Sequence, residues 1–150
     1  GLTLLKSGLY PNSEADRGRH DFVYSVFPHR GSWQEAGTVE QAYGLNNPPK
    51  FRIKKEYGGK LEGEYAKVQT GNPNIIAEVL KRSEDGQAEI LRLYECWNRR
   101  TRTQLAFGEE FQSLYLCNML EEEECKLAEK GCTADIEFAP FEIKTLKIIR

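Results

Sequence analysis

Ile75-Ile76-Ala77-Glu78-Val79-Leu80-Lys81-Arg82-Ser83-Glu84-Asp85-Gly86-Gln87-Ala88-Glu89-Ile90-Leu91-Arg92-Leu93-Tyr94-Glu95-Cys96 is the stretch whose reading decides the fold. A strand turns successive side chains to opposite faces. Ile75, Ala77 and Val79 therefore share one face, and Ile76 and Leu80 the other. Ser83 to Gln87 interrupts the run, and its Asp-Gly pair supplies the positive φ that a tight reversal needs. Ala88 to Cys96 then returns as a second strand. Two strand-like runs around one short turn predict a β-hairpin.

Downstream, the same reading continues. Asn98 to Arg100 turns the chain, and Arg99-Arg100-Thr101-Arg102 reads as a solvated basic turn. Thr101 to Phe107 sets Thr103, Leu105 and Phe107 against polar neighbours, a half-buried strand. Gly108-Glu109-Glu110 is expected to turn the chain before a strand around Ser113 to Cys117. Glu121 to Glu124 would self-repel in a buried site and reads as a solvated loop. Cys125 to Gly131 is expected to be a short helical turn or irregular. Thr133 to Phe138 and Glu142 to Ile149 are the last strands, separated by Ala139-Pro140.

Upstream, Gly71 to Asn74 is a turn, and a strand is expected near Tyr65 to Val68. Phe51 to Lys60 reads as an edge strand and loop. The clearest helix begins at Gly31-Ser32, where Ser32 and Glu35 have the spacing of a capping box. Ala36, Val39 and Tyr43 then form one apolar stripe. Asn46-Asn47-Pro48-Pro49 stops it, because proline lacks the N–H and disfavours helical geometry before it. The expected helix is short and amphipathic, over about residues 32–45, with Trp33 read as core. Before it, Phe22, Tyr24 and Val26 alternate with Val23 and Phe27 in a strand covered on both faces and ended by Pro28. Leu2 to Lys6 reads as a first strand and Ser7 to Arg19 as a loop. About eight short strands and one helix predict a mostly β protein, an antiparallel β-sandwich. Tyr24, Val79, Leu93, Leu105 and Ile143 are the expected core positions.

Composition excludes several classes. A chain of 150 residues with 39% hydrophobic and 29% charged residues is long enough for a real core. It has no apolar run of roughly 18 residues, so no membrane-spanning helix is expected. A net charge of −2 without a basic, aromatic-interleaved stripe argues against nucleic acid. The four cysteines, Cys96, Cys117, Cys125 and Cys132, form no CxxC pair. They read as reduced and structural rather than zinc-binding, which favours a cytoplasmic protein. The chain does not begin with Met and opens on strand-like residues, so it is expected to be a piece of a longer polypeptide.

The chemistry-bearing residues concentrate early. Asp16-Arg17-Gly18-Arg19-His20 is the densest polar cluster. Its Asp and Arg side chains suit vicinal sugar hydroxyls, or they form an internal Asp–Arg pair of a loop. His20 and His29 flank a run that spans roughly 30 Å when extended, so they do not share a metal unless the strand bends sharply; each bonds a ligand, backbone or a nearby acid. Trp97 precedes a turn and can stack on a sugar face. The 23 acids include no pair that stands out as the two carboxylates of a retaining glycosidase. No catalytic residue and no metal ligand is assigned in this chain.

Several stretches together carry a resemblance. They are Ser7 to Pro11, Ala15 to Tyr24, Pro28 to Gly31, Glu35 to Gly37, Ala42-Tyr43, Leu45 to Pro48, Ala77 to Gly86, Leu91 to Glu95 and Phe138 to Leu146. In that order they resemble the C-terminal β region of glycoside hydrolase family 38 α-mannosidases, of the bacterial and cytosolic branch. The resemblance implies one β-sandwich domain over residues 1–150, a C-terminal fragment of a longer multidomain enzyme whose catalytic domain is absent. It implies a zinc-dependent retaining hydrolase of terminal α-mannosides, with zinc and the nucleophile in that missing domain and no cofactor in this fragment. The implied partners are the catalytic domain of the same polypeptide and, for the whole enzyme, an α-mannoside; oligomerisation stays open. Asp16, Arg17, His20 and His29, which lie in the resembling stretches, and Trp97, from its aromatic ring, are candidates for the substrate or domain interface. Two other classes compete: an independent carbohydrate-binding β-sandwich module, and a self-sufficient enzyme.

Overall fold

The computed structural model describes residues 2–53, 58 and 63–150. The chain divides into two compact units, Gly1–Arg30 and Gly31–Arg150.

The described residues of the first unit hold turns, bends and irregular backbone but no helix and no paired strand. The strands expected at Leu2 to Lys6 and His20 to Phe27 do not form. Phe22, Val23, Tyr24, Val26 and Phe27 are all exposed. The reason is physical: alternation equips a segment for a sheet, but a strand exists only where a second strand supplies the ladder. Among the described residues none pairs with this run.

The second unit opens on the expected capping box. The Ser32 N–H donates to Glu35 Oε2 at 2.9 Å, and the Glu35 N–H donates to Ser32 Oγ at 3.3 Å. These bonds close a turn rather than start the helix, because Gly37 takes a left-handed conformation (φ 65°). Helix α1 runs over Thr38–Asn46, later than expected. Ala36, Val39 and Tyr43 are half-buried as the stripe requires. Trp33 lies in the turn before α1 and is 40% exposed, so it is not core. The Asn47 N–H donates to the Tyr43 carbonyl at 2.8 Å and ends the helix before Pro48. The expected edge strand at Phe51 to Lys60 shows none over 51–53, and most of its remainder lies outside the described residues.

Among the described residues six strands form one antiparallel sheet: β1 (Val68–Gln69), β2 (Ile75–Arg82), β3 (Glu89–Glu95), β4 (Thr101–Cys117), β5 (Glu123–Phe138) and β6 (Ile143–Ile149). Their order is β1-β4-β6-β3-β2, with β5 also on β4. The β2–β3 hairpin is as expected, in a register from Ile75 opposite Glu95 to Arg82 opposite Glu89. Gly86 takes positive φ in its turn.

Two expectations fail downstream and a third holds in part. Gly108 does not turn the chain. It lies inside the single long β4, where the register with β5 breaks between Ala106 and Phe111. A Cβ on Gly108 would stand 2.7 Å from the Ala66 carbonyl oxygen, so this glycine permits close backbone approach. Cys125 to Gly131 is neither helical nor irregular but the first part of β5. That part is mostly exposed, and a strand exposed on both faces needs no apolar alternation to betray it. The acidic run is solvated as expected at Glu122, Glu123 and Glu124, but it is a loop only over 121–122, and two of its side chains are paired. Glu121 receives Lys81 Nζ at 2.7 Å and the Glu84 N–H at 2.9 Å, and Glu123 pairs with Lys147 at 3.2 Å.

β1 and β2 stand at opposite ends of the strand order, yet only residues 70–74 separate them in sequence. Such a link reaches roughly 20 Å at full stretch, so the sheet curls and brings its ends together. One core fills the fold. It joins Ile75 of β2, Leu91 and Leu93 of β3, Leu105, Phe107, Phe111 and Leu114 of β4, Ala134, Ile136 and Phe138 of β5, and Leu146 and Ile148 of β6. Phe107 and Phe111 meet edge to face at 5.2 Å across the register break. The expected mostly β, antiparallel fold with one short helix is found among the described residues, but with six strands in place of about eight short ones, β4 and β5 being 17 and 16 residues long. Of the expected core, Leu93 and Leu105 are buried and Val79 is half-buried. Tyr24 and Ile143 are exposed. Ile143 is the first residue of β6 and lies exposed at its end; the core side chains of this strand, Leu146 and Ile148, stand on the opposite face, and on the face of Ile143 it is Thr145 that is buried.

Candidate functional site

The most connected polar centre of the second unit is Glu95, the last residue of β3. It is 1% exposed. Leu91, Leu93 and Glu95 share one face by the two-residue period, so β3 carries a carboxylate straight into the core. Four donors meet it. Asn74 Nδ2 (2.9 Å) and the Trp97 N–H (2.7 Å) reach Oε1; the Arg99 N–H (3.2 Å) and the Phe141 N–H (3.0 Å) reach Oε2. Burial pushes the Glu95 carboxyl up, but the N–H groups of Phe141, Asn74, Trp97 and Arg99 outweigh it and hold the carboxyl below its ordinary value.

This one side chain ties three pieces together: the start of β2 through Asn74, the turn after β3, and the turn between β5 and β6. Both turns contain a left-handed residue, Asn98 (φ 60°) and Phe141 (φ 56°). Asn tolerates that conformation, whereas Phe does so at a cost of order 1–3 kcal/mol. The Glu95 carboxylate accepts the N–H groups on both sides of Asn98 and that of Phe141 itself. It thereby pins the strained backbone in place. Glu142 closes the second turn by accepting the Ala139 N–H at 2.7 Å and Lys144 Nζ at 2.8 Å. Burial raises its carboxyl, and the Lys144 and Ala139 bonds more than reverse that.

A carboxylate offers about four acceptor positions, and those of Glu95 are filled by protein donors. Its chemistry is to position backbone, not to attack or to shuttle protons. The neighbouring Cys96 thiol is pushed up by burial and by the Glu95 charge, which keeps it protonated and unreactive. All four cysteines are free thiols. Among the described residues no three His, Cys, Asp or Glu side chains converge on a point that could hold a metal ion.

Trp97 is half-buried beside this corner, with the Arg99 guanidinium 5.8 Å from its ring. With Gln34, Glu35, Gly37, Val39, Glu40 and Pro73 it lines a cleft of about 200 Å³. A second cleft of about 420 Å³ lies along α1, over Val39, Ala42, Tyr43 and Glu78. The Tyr43 and Tyr94 hydroxyls, 2.9 Å apart, join the helix to the sheet. The Ser32 bonds hold Glu35 below its ordinary value, the backbone N–H contributing most.

The remaining sequence candidates lie in the first unit. His20 Nε2 donates to the Asp16 carbonyl at 2.6 Å and closes the loop 16–20, with Asp16 left-handed (φ 57°). Arg17 pairs with Glu14 at 2.7 Å and Arg19 with Asp21 at 2.9 Å. The loop is thus internally paired, but through Glu14 and Asp21 rather than through Asp16. The His29 and Phe27 rings lie tilted against each other at 37°, with centroids 5.8 Å apart. Asp16, Arg17 and His20 come together in one loop; Trp97 belongs to the other unit. Sequence reading missed Glu95, although its parity with Leu91 and Leu93 was visible.

Comparison with known proteins adds the family. Residues 74–146 match the glycosyl hydrolases family 38 C-terminal beta sandwich domain. Alpha-mannosidase G of Dictyostelium discoideum is 34% identical over 99% of this chain. Alpha-mannosidase 2C1 of Mus musculus is 29% identical over the same share. Alpha-mannosidase of Saccharomyces cerevisiae is 33% identical over 58% of the chain. The chain spans 14% of the length of the first two and 8% of the third.

Proposed function

We propose that this chain, which belongs to the C-terminal β-sandwich region of glycoside hydrolase family 38, is a non-catalytic brace within a larger α-mannosidase. The larger enzyme is a retaining hydrolase of terminal α-mannosides in glycan catabolism. One observation carries the reading: α-mannosidases align along 99% of this chain, while the chain makes up 14% of them. Chemistry shared by the whole enzymes then resides largely in the polypeptide outside this chain, and with it the zinc and the nucleophile. The chain's partner is that catalytic domain. Residues 1–150 act as one C-terminal piece, and the loop from Asp16 to His20, with His29 beyond it, faces the substrate pocket. The Asp16 carboxylate supports this placement, since among the described residues it bonds no donor. The four free thiols support a cytoplasmic location, where thiols stay reduced.

The test is hydrolysis of an aryl α-mannoside, with zinc or cobalt added, by the chain alone and by the longer polypeptide that contains it. Turnover by the longer polypeptide only is expected. Turnover by the chain alone would overturn the brace. Mannoside binding by the chain alone, lost in Trp97→Ala, would instead favour a carbohydrate-binding module.

A further inference from the structure

The run from His20 to Phe27 has the pattern of a buried strand and none of the burial. Val23 is 78% and Val26 84% exposed, and Phe22, Tyr24 and Phe27 are exposed with them. So many apolar side chains in one short run mark an interaction surface. Among the described residues no strand pairs with the run.

We infer that His20–Phe27 is a strand that adds to an open sheet edge in the part of the α-mannosidase polypeptide outside this chain. The inference rests on the brace proposed above and names its contact. Three observations choose that occupant. First, apolar residues stand on both faces of the run, the pattern of a strand covered on both sides, which a surface pairing of two copies would leave half wet. Second, Asp21 is the only formal charge from His20 to Phe27, and no proline or lysine interrupts the run. Free sheet edges are blunted by such residues, so this run is built to be paired. Third, the β-sandwich match begins at residue 74, whereas relatives about seven times longer align over 99% of the chain. The run thus lies outside the matched sandwich but inside what the longer proteins share. Main-chain ladder bonds would supply the attachment, and alternate side chains would enter pockets on the two covering faces.

The test is amide hydrogen exchange of residues 21–27 in the longer polypeptide. It is read against the intrinsic rates of an unstructured peptide of that sequence and against the chain alone. Expected is slowing by about 100-fold or more in the longer polypeptide and near-intrinsic exchange in the chain alone. Near-intrinsic exchange in both overturns the inference. So does slow exchange in both, which assigns the partner to this chain or, if dilution abolishes it, to a second copy. Activity of the same preparation towards an aryl α-mannoside reads the brace separately: an active enzyme with unprotected 21–27 sinks the strand alone, and protection without activity sinks the α-mannosidase reading alone.

Discussion

His20–Phe27 and Ile90–Glu95 carry the same kind of pattern. Each is a short run dense in aromatic and aliphatic residues, with apolar side chains on both faces. In the second, Ile90, Leu91, Leu93 and Glu95 are buried; in the first, every apolar side chain is exposed. The difference lies in their partners. β3 has β2 on one side, closed by a tight turn, and β6 on the other. His20–Phe27 has neither among the described residues. Alternation gives a segment a face to bury, while burial itself needs a second strand and a covering layer. Equal patterns therefore do not carry equal stability.

The largest break in this comparison is expected at Glu95. Glu95→Ala removes the shared acceptor of one buried and three part-buried donors and releases two left-handed turns, at a cost of about 3 kcal/mol. Urea unfolding of the chain measures it; a loss below about 1 kcal/mol would show that water satisfies the corner. The same group sets an acid limb. Its folded pKa lies below the ordinary carboxyl value, so its stabilisation is fully present above that value and is lost as pH falls through the lowered one. Glu95→Gln should be less stable near neutrality and should flatten that limb in a pH series.

Next comes a direct contrast of the two runs. Leu93→Ala is expected to cost about 3 kcal/mol and Val26→Ala less than about 0.5 kcal/mol when the chain alone is unfolded in urea. Comparable losses would mean that the first unit is packed after all. In the longer polypeptide the Val26 penalty should rise, which sharpens the contrast into a map of the missing partner.

A smaller effect tests the bend in β4. Gly108→Ala places a methyl 2.7 Å from the Ala66 carbonyl oxygen, and about 2 kcal/mol is expected from the forced shift. A neutral result would mean that residues 65–67 move aside freely. The smallest effect has the opposite sign. Phe141 is exposed with φ 56°, so Phe141→Gly should raise stability by up to about 1 kcal/mol by removing the left-handed penalty. A loss on thermal unfolding would reveal packing of the ring that outweighs the strain.

Much of the fold is legible in the chain. The β2–β3 hairpin, the last strand, the capping box and the stop at Pro48 all rest on interactions spanning a few residues. The site is less so. The loop at Asp16 to His20 stands out as a polar cluster, but the partners of its arginines, Glu14 and Asp21, were not those expected. Glu95 passed unnoticed, since its role depends on Asn74 and Phe141, brought to it only by the fold.

By itself the sequence determined the antiparallel β character, the hairpin and its turn, the single helix with its apolar stripe, and the family. These follow from side-chain period, backbone preference and motif order, all local properties. Only the tertiary structure decided which alternating runs become strands, that Gly108 lies inside one long strand, that the weakly patterned residues 123–131 pair along it, and that a buried carboxylate holds two turns. Pairing joins residues far apart in sequence, and its free energy belongs to both partners, so neither segment encodes it alone.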